Sequence, residues 1–180
     1  MLNNSLRFGL LGLLVLVTAV TGRCEDLPAQ ADWVAFASDD GKVTAQFPKM
    51  PTANTQTVNT AIGKLTVKMH IIESDEWSFL ISHLTYPVDP KEYDADEGLK
   101  GAVNGAAANI GGAIVESANI KQGGFPGKEV LIQGKEGIFV KVRMSIDPQG
   151  PTLFQGLVVG SKEFVTSVDA KYFLDSIKVK

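Results

Sequence analysis

The chain has 180 residues, with 17 Lys and Arg against 20 Asp and Glu, a formal net charge of −3, and a single cysteine, Cys24. Arg143 is the only arginine beyond residue 23, so the chain is poorly equipped to grip a phosphate backbone or an anionic membrane surface. One cysteine cannot form an intramolecular disulfide, and the fold must stand on its core.

The N-terminus reads as a targeting segment. Arg7 is the only charge before the apolar run "FGLLGLLVLVTAV" at 8–20. A bilayer core needs roughly 20 helical residues, so this run is short for a span and fits the hydrophobic region of a secretory signal. Val20 and Gly22 suit a cut before Arg23; Gly22 and Cys24 suit a cut before Glu25. Lipid attachment to Cys24 wants a small residue before it, and that position holds Arg23. The expected organisation is a signal peptide at 1–24, a flexible leader at 25–32 and one domain at 33–180. Processing removes Arg7 and Arg23, leaving 15 basic residues against 20 acidic ones and a net charge of −5.

In the domain, "GKVTAQFP" (41–48) reads as a strand with Val43, Ala45 and Phe47 on one face. "NTQTVNT" (54–60) is a polar strand expected at a sheet edge. "GKLTVKMHIIE" (63–73) alternates, with Leu65, Val67, Met69 and Ile71 opposite Lys64, Thr66, Lys68 and His70. "WSFLISHLTY" (77–86) returns as the second arm of a hairpin, expected to be central and covered on both faces.

The spacing of Leu99, Val103, Ala106, Ala107 and Ile110 predicts a helix, with Asp94 and Glu97 as a capping box and Gly111 and Gly112 at its end. Gly98, Gly101 and Gly105 each cost up to ~1 kcal/mol in a helix, so packing must hold it. "AIVESANIKQ" (113–122) and "KEVLIQG" (128–134) read as strands joined by "GGFPG", with Pro126 and Gly127 central to a type II turn.

"GIFVKVRMSID" (137–147) is the clearest strand. Its Ile138, Val140, Val142, Met144 and Ile146 line one face, and Val140 and Val142 are expected beneath the helix carrying Leu99 and Val103. "TLFQGLVVG" (152–160) is another strand. Asp169 is the expected cap of a closing helix, with Val168 and Phe173 as its hydrophobic staple, and residues 176–180 add a last extended piece. Strands joined by tight turns make an antiparallel sheet, and helices cover it: the class is α+β.

Motifs for chemistry are weak. "QGGFPGKE" (122–129) has Gln122 where a phosphate loop needs glycine and Glu129 where it needs a hydroxyl. The glycines of 98–112 follow a helix cap rather than a strand, which excludes the dinucleotide fingerprint. His70 and His83 lie on two arms of one hairpin. With the turn near Asp75, His70 faces residues 79–81 and His83 is at best diagonal to it. Two imidazoles without a clear third ligand read as surface or half-buried sheet residues rather than a zinc site. Ser161 sits in a strand-end turn without a nucleophile elbow, and the carboxylates of 92–98 are explained by helix capping. No catalytic, cofactor-binding or metal-ligating residue is assigned, and no cofactor is expected.

The segments "NIGGAIVES", "GGFPGKEVLIQ", "GIFVKVRMSID", "LFQGLVVG" and "SVDAKYFLDSIKV", with "VTAQFPKMPT" and "IGKLTVKMHI" before them, resemble a recurring pattern in small secreted bacterial proteins of unknown function. The resemblance covers most of 33–180, and its motifs are structural. It implies a PsbP-like fold, an antiparallel sheet between helices in an α/β/α sandwich. Better-known members of that fold are photosystem subunits, assembly factors and protein-binding modules, mostly not enzymes.

The expectation is therefore a non-catalytic, secreted or periplasmic binding or assembly module. Its expected partner is another envelope or secreted protein, with no nucleic acid. Membrane contact is expected only if the N-terminus is retained or Cys24 is lipidated. The alternatives are an envelope protein anchored in one of those ways, and a hydrolase with dispersed carboxylates.

Overall fold

The computed structural model of the protein describes residues 27–180 apart from 61 and 62. The signal peptide expected at 1–24, with Cys24, lies outside the described residues. The strands are β1 (Val34–Ala37), β2 (Val43–Phe47), β3 (Thr52–Thr60), β4 (Gly63–Glu73), β5 (Ser78–Thr85), β6 (Ala113–Gln122), β7 (Phe125–Gln133), β8 (Phe139–Asp147), β9 (Thr152–Gly160) and β10 (Lys178–Val179). The helices are α1 (Ala95–Asn109), α2 (Lys162–Val165) and α3 (Val168–Ser176).

Two antiparallel meanders, β3–β4–β5 and β6–β7–β8–β9, join where β5 pairs with β9, giving a seven-stranded sheet in the order β3-β4-β5-β9-β8-β7-β6. The first strands do not belong to it. β1, β2 and β10 form a separate three-stranded sheet, which corrects the expectation of a single sheet. The physical reason lies at 48–51, where Pro48 and Pro51 interrupt the ladder and release the chain into a second layer.

Alternation along β8 puts Val140, Val142, Met144 and Ile146 on one face, where they meet Leu99, Ala102, Val103 and Ala107 of α1. On the opposite face Phe79, Ile81, Phe154 and Val158 pack against Phe47, Phe173, Leu174 and Ile177 of the small sheet and α3. Each fully buried side chain of this size contributes roughly 1.5–3 kcal/mol. The central strands are covered on both faces, as the unbroken burial of β5 up to Leu84 and of β9 requires.

Asp94 caps α1 as expected, accepting from the backbone N–H of Asp96 and Glu97. Glu97 pairs with Lys100. Gly98 faces Tyr93 so closely that a Cβ there would overlap its hydroxyl oxygen. Glycine thereby lets the helix lie against the Tyr86–Tyr93 stack, where burial pushes the Tyr86 hydroxyl up to about 12.

Three local expectations change. The turn between β6 and β7 is Gly123-Gly124, with φ 60° and 88°, not Pro126-Gly127. A two-residue hairpin with two positive φ values matches the twist of its strands, and glycines are the cheapest residues there. Pro126 then lies in β7 opposite Lys121, one residue before pairing with β8 begins at Gly127. In that position its missing N–H costs no ladder bond.

Ser167, not Asp169, caps α3 and accepts from the Ala170 N–H, while Val168 is 75 % exposed and makes no staple. Asp169 instead accepts a hydrogen bond from the Gln30 side chain. Ser161, expected in a turn, caps the short α2.

Candidate functional site

The turn between β1 and β2, "SDDGK", carries a carboxylate to the face of the large sheet. Gly41 takes φ 68° there, the left-handed conformation glycine adopts most cheaply. Asp40 Oδ2 lies 2.8 Å from Lys68 Nζ of β4 and 2.8 Å from His83 Nε2 of β5. Its Oδ1 accepts from the Ser38 hydroxyl at 2.8 Å and from the Lys42 N–H at 3.2 Å. Burial works to raise the Asp40 pKa, but bonds from Lys68, Ser38, His83 and the Lys42 backbone outweigh it and hold the carboxyl well below the usual carboxylate range. An ionised carboxylate only accepts, so His83 Nε2 carries its hydrogen.

His70 falls opposite Ile81, as counting from Asp75 requires, and His83 falls opposite Lys68. The two histidines are thus diagonal on the same face. They are only 7 % and 5 % exposed, which corrects the expectation of surface or half-buried residues. The small sheet, unforeseen from sequence, is what covers them. His70 lies beneath the Phe36 ring, centroid to centroid 4.5 Å, and its Nδ1 is buried without a hydrogen-bond partner. Burial, then the neighbouring His83, push the His70 pKa below its ordinary value. Among the described residues, no group of three His, Cys, Asp or Glu side chains has the geometry to hold a metal ion.

Asp40 was not singled out by sequence. Asp-Gly after Ser-Asp signals a turn, but nothing local says that the turn lands on a strand 43 residues away.

A second charged cluster lies on the same face of the sheet. Arg143 on β8 is bonded to Glu129 on β7 and to Asp175 on α3; Lys141 joins Glu129 at 3.4 Å, and Lys171 pairs with Asp175. Burial alone would raise Glu129 and Asp175, but their cationic partners hold both below the ordinary carboxylate range. These carboxylates fasten α3 to the sheet.

The surface feature with most scope for recognition is the outer strand β6. Its ten residues end the seven-stranded sheet, and Ala113 through Asn119 are exposed on both faces. Ile114 and Val115 are 41 % and 48 % exposed, and the β6–β7 register shifts between Ile114 and Glu116. The opposite edge, β3, presents Thr, Asn and Gln.

No protein-family model matches the chain, and no curated protein sequence matches it either. Among solved structures it is similar to the solution structure of cyanobacterial PsbP (CyanoP) from Synechocystis sp. PCC 6803. The TM-score is 0.52 at 10 % identity, over 89 % of this chain and 99 % of that one. It also matches a protein of unknown function, PA94, from Pseudomonas aeruginosa, with a TM-score of 0.41 at 11 % identity over 78 % of this chain and 90 % of that one. With helix α1 on one face of the long antiparallel sheet and α3 with the small sheet on the other, the chain has a PsbP-like α+β fold.

Proposed function

We propose that the protein is a non-catalytic binding or assembly module, exported by its N-terminal segment, that receives an extended segment of another envelope or secreted protein along β6. The observation that carries this reading is the outer edge of β6, unpaired among the described residues, with Ile114 and Val115 projecting from it. The outer edge of a terminal strand offers a row of backbone donors and acceptors, and the exposed Ile114 and Val115 beside it give apolar contacts for a partner's side chains. Glu116 and Lys121 on the same strand discourage indiscriminate edge pairing, and the irregularity at Val115 does the same. The PsbP-like fold is in keeping with such a role by analogy only.

Export is supported by the short apolar run at 8–20, whose length suits a cleaved signal better than a span. Lipidation of Cys24 or retention of the apolar run would anchor the same module without changing its binding edge. A hydrolase needs a carboxylate free to give or take a proton. Asp40, Glu129 and Asp175 are each held ionised by cationic partners, which favours the binding reading.

The test is the double variant Ile114→Lys, Val115→Lys in cells, followed by partner recovery after cross-linking. Both sites are exposed, so stability should change by no more than about 0.5–1 kcal/mol. Loss of the cross-linked partner from a folded variant is expected; undiminished recovery would refute the β6 reading.

A further inference from the structure

His70 makes no hydrogen bond through its buried Nδ1, yet it occupies the seam between the two sheets. Phe36 of β1 covers its ring at 4.5 Å. The titratable groups that face it are Lys68 on its own strand, His83 on β5, and Asp39 and Asp40 in the β1–β2 turn. β3 brings only Ala53 opposite it. Asp40 is already engaged by Lys68, His83, Ser38 and the Lys42 N–H. Asp39 is solvent-exposed, where water screens its field. A proton on His70 would therefore place a desolvated cation at the seam, with Lys68 and His83 as neighbours and no free buried acceptor among the described residues; attraction to the Phe36 ring offsets only part of that cost.

We propose that His70 is a proton-operated catch, and that its protonation in mildly acidic solution loosens the β1–β2 hairpin from the seven-stranded sheet. The device depends on the contacts of the seam and is independent of what binds β6. Its sign follows from which form holds the proton more readily. Burial and His83 disfavour the imidazolium in the docked hairpin, so the undocked form takes up the proton first. Docking is then fully favoured above the ordinary histidine value of about 6.5 and weakens as pH falls below it. Opening would uncover Phe36 and Phe47, now in edge-on contact at 5.6 Å.

Hydrogen exchange of the full chain, corrected for intrinsic rates, tests this between about pH 7.5 and about pH 5, a range spanning the histidine titration. The opening constant of the amides in β1 and β2 should rise as pH falls, by at most about tenfold per pH unit, the limit for one proton. Amides of β8 and β9 should not follow. His70→Phe cannot titrate and should flatten the profile. An equal rise in that variant, or none in the wild type, would overturn the proposal. Should His70→Phe not fold, NMR titration of the His70 ring in the wild type decides. A midpoint below about 6.5 supports the catch, and one at or above it refutes it.

Discussion

His83 Nε2 lies 2.8 Å from Asp40 Oδ2, which fastens the turn between the first two strands to the fifth strand, 43 positions later. Asp40→Asn keeps the shape but removes the charge that Lys68 and His83 share. Its expected cost at neutral pH is about 1–3 kcal/mol, the range for a lost charged hydrogen bond that leaves partners unsatisfied. The carboxyl is depressed in the folded state, so its contribution is present above its ordinary value of 3.8 and fades as pH falls below it. Urea denaturation should show wild type and variant converging in acid. A constant gap across pH would mean that the charge is not what stabilises.

Val142 and Lys141 are neighbours on β8 with opposite surroundings. Val142 is fully buried beneath α1, while Lys141 is part-exposed beside Glu129. Val142→Asp buries an unpaired charge and should cost about 3–5 kcal/mol, a large share of a domain's stability. Lys141→Asp loses one part-exposed ion pair and sets a second carboxylate near Glu129, and should cost about 1–2 kcal/mol. Chemical denaturation compares them; equal losses would contradict the assignment of faces.

Gly98→Ala ought to stabilise a bare helix by up to ~1 kcal/mol. Here the added methyl meets the Tyr93 ring and the tip of Ile146. Overpacking of this kind costs about 1–3 kcal/mol, so a lower midpoint in thermal or urea unfolding is expected. A rise in stability would show that Tyr93 moves aside freely.

The strands of the large sheet were legible because alternation survives wherever one face is wet, as in β4, and short apolar runs on either side of Gln155-Gly156 mark β9, where both faces are covered. The helix was legible from its stripe and from Asp94. The second sheet was not. β2 alternates like any other strand, and a sequence does not say which neighbour takes its hydrogen bonds. The type II turn expected at Pro126 lost to the adjacent Gly123-Gly124, whose positive φ values suit a hairpin better. Ser167 displaced Asp169 because either can cap, and packing of Phe173 and Leu174 sets where the helix begins. The histidine seam was hidden for the same reason as the second sheet: its third member arrives from a turn.

The proposed export has a direct chemical readout. Mass spectrometry of the protein recovered from cells should find a mature chain starting at Arg23 or Glu25. A chain starting at Met1, or an acylated Cys24, would mean an anchored protein.

Most directly, a photoreactive residue placed at Val115 in living cells tests whether β6 receives a partner. Val115 is exposed on the free edge, and Thr57 on β3 provides the control at the opposite edge. A discrete adduct with another polypeptide at position 115, absent at position 57, is the expected result. No adduct at 115, or the same adduct from both edges, would contradict a binding module that works through β6.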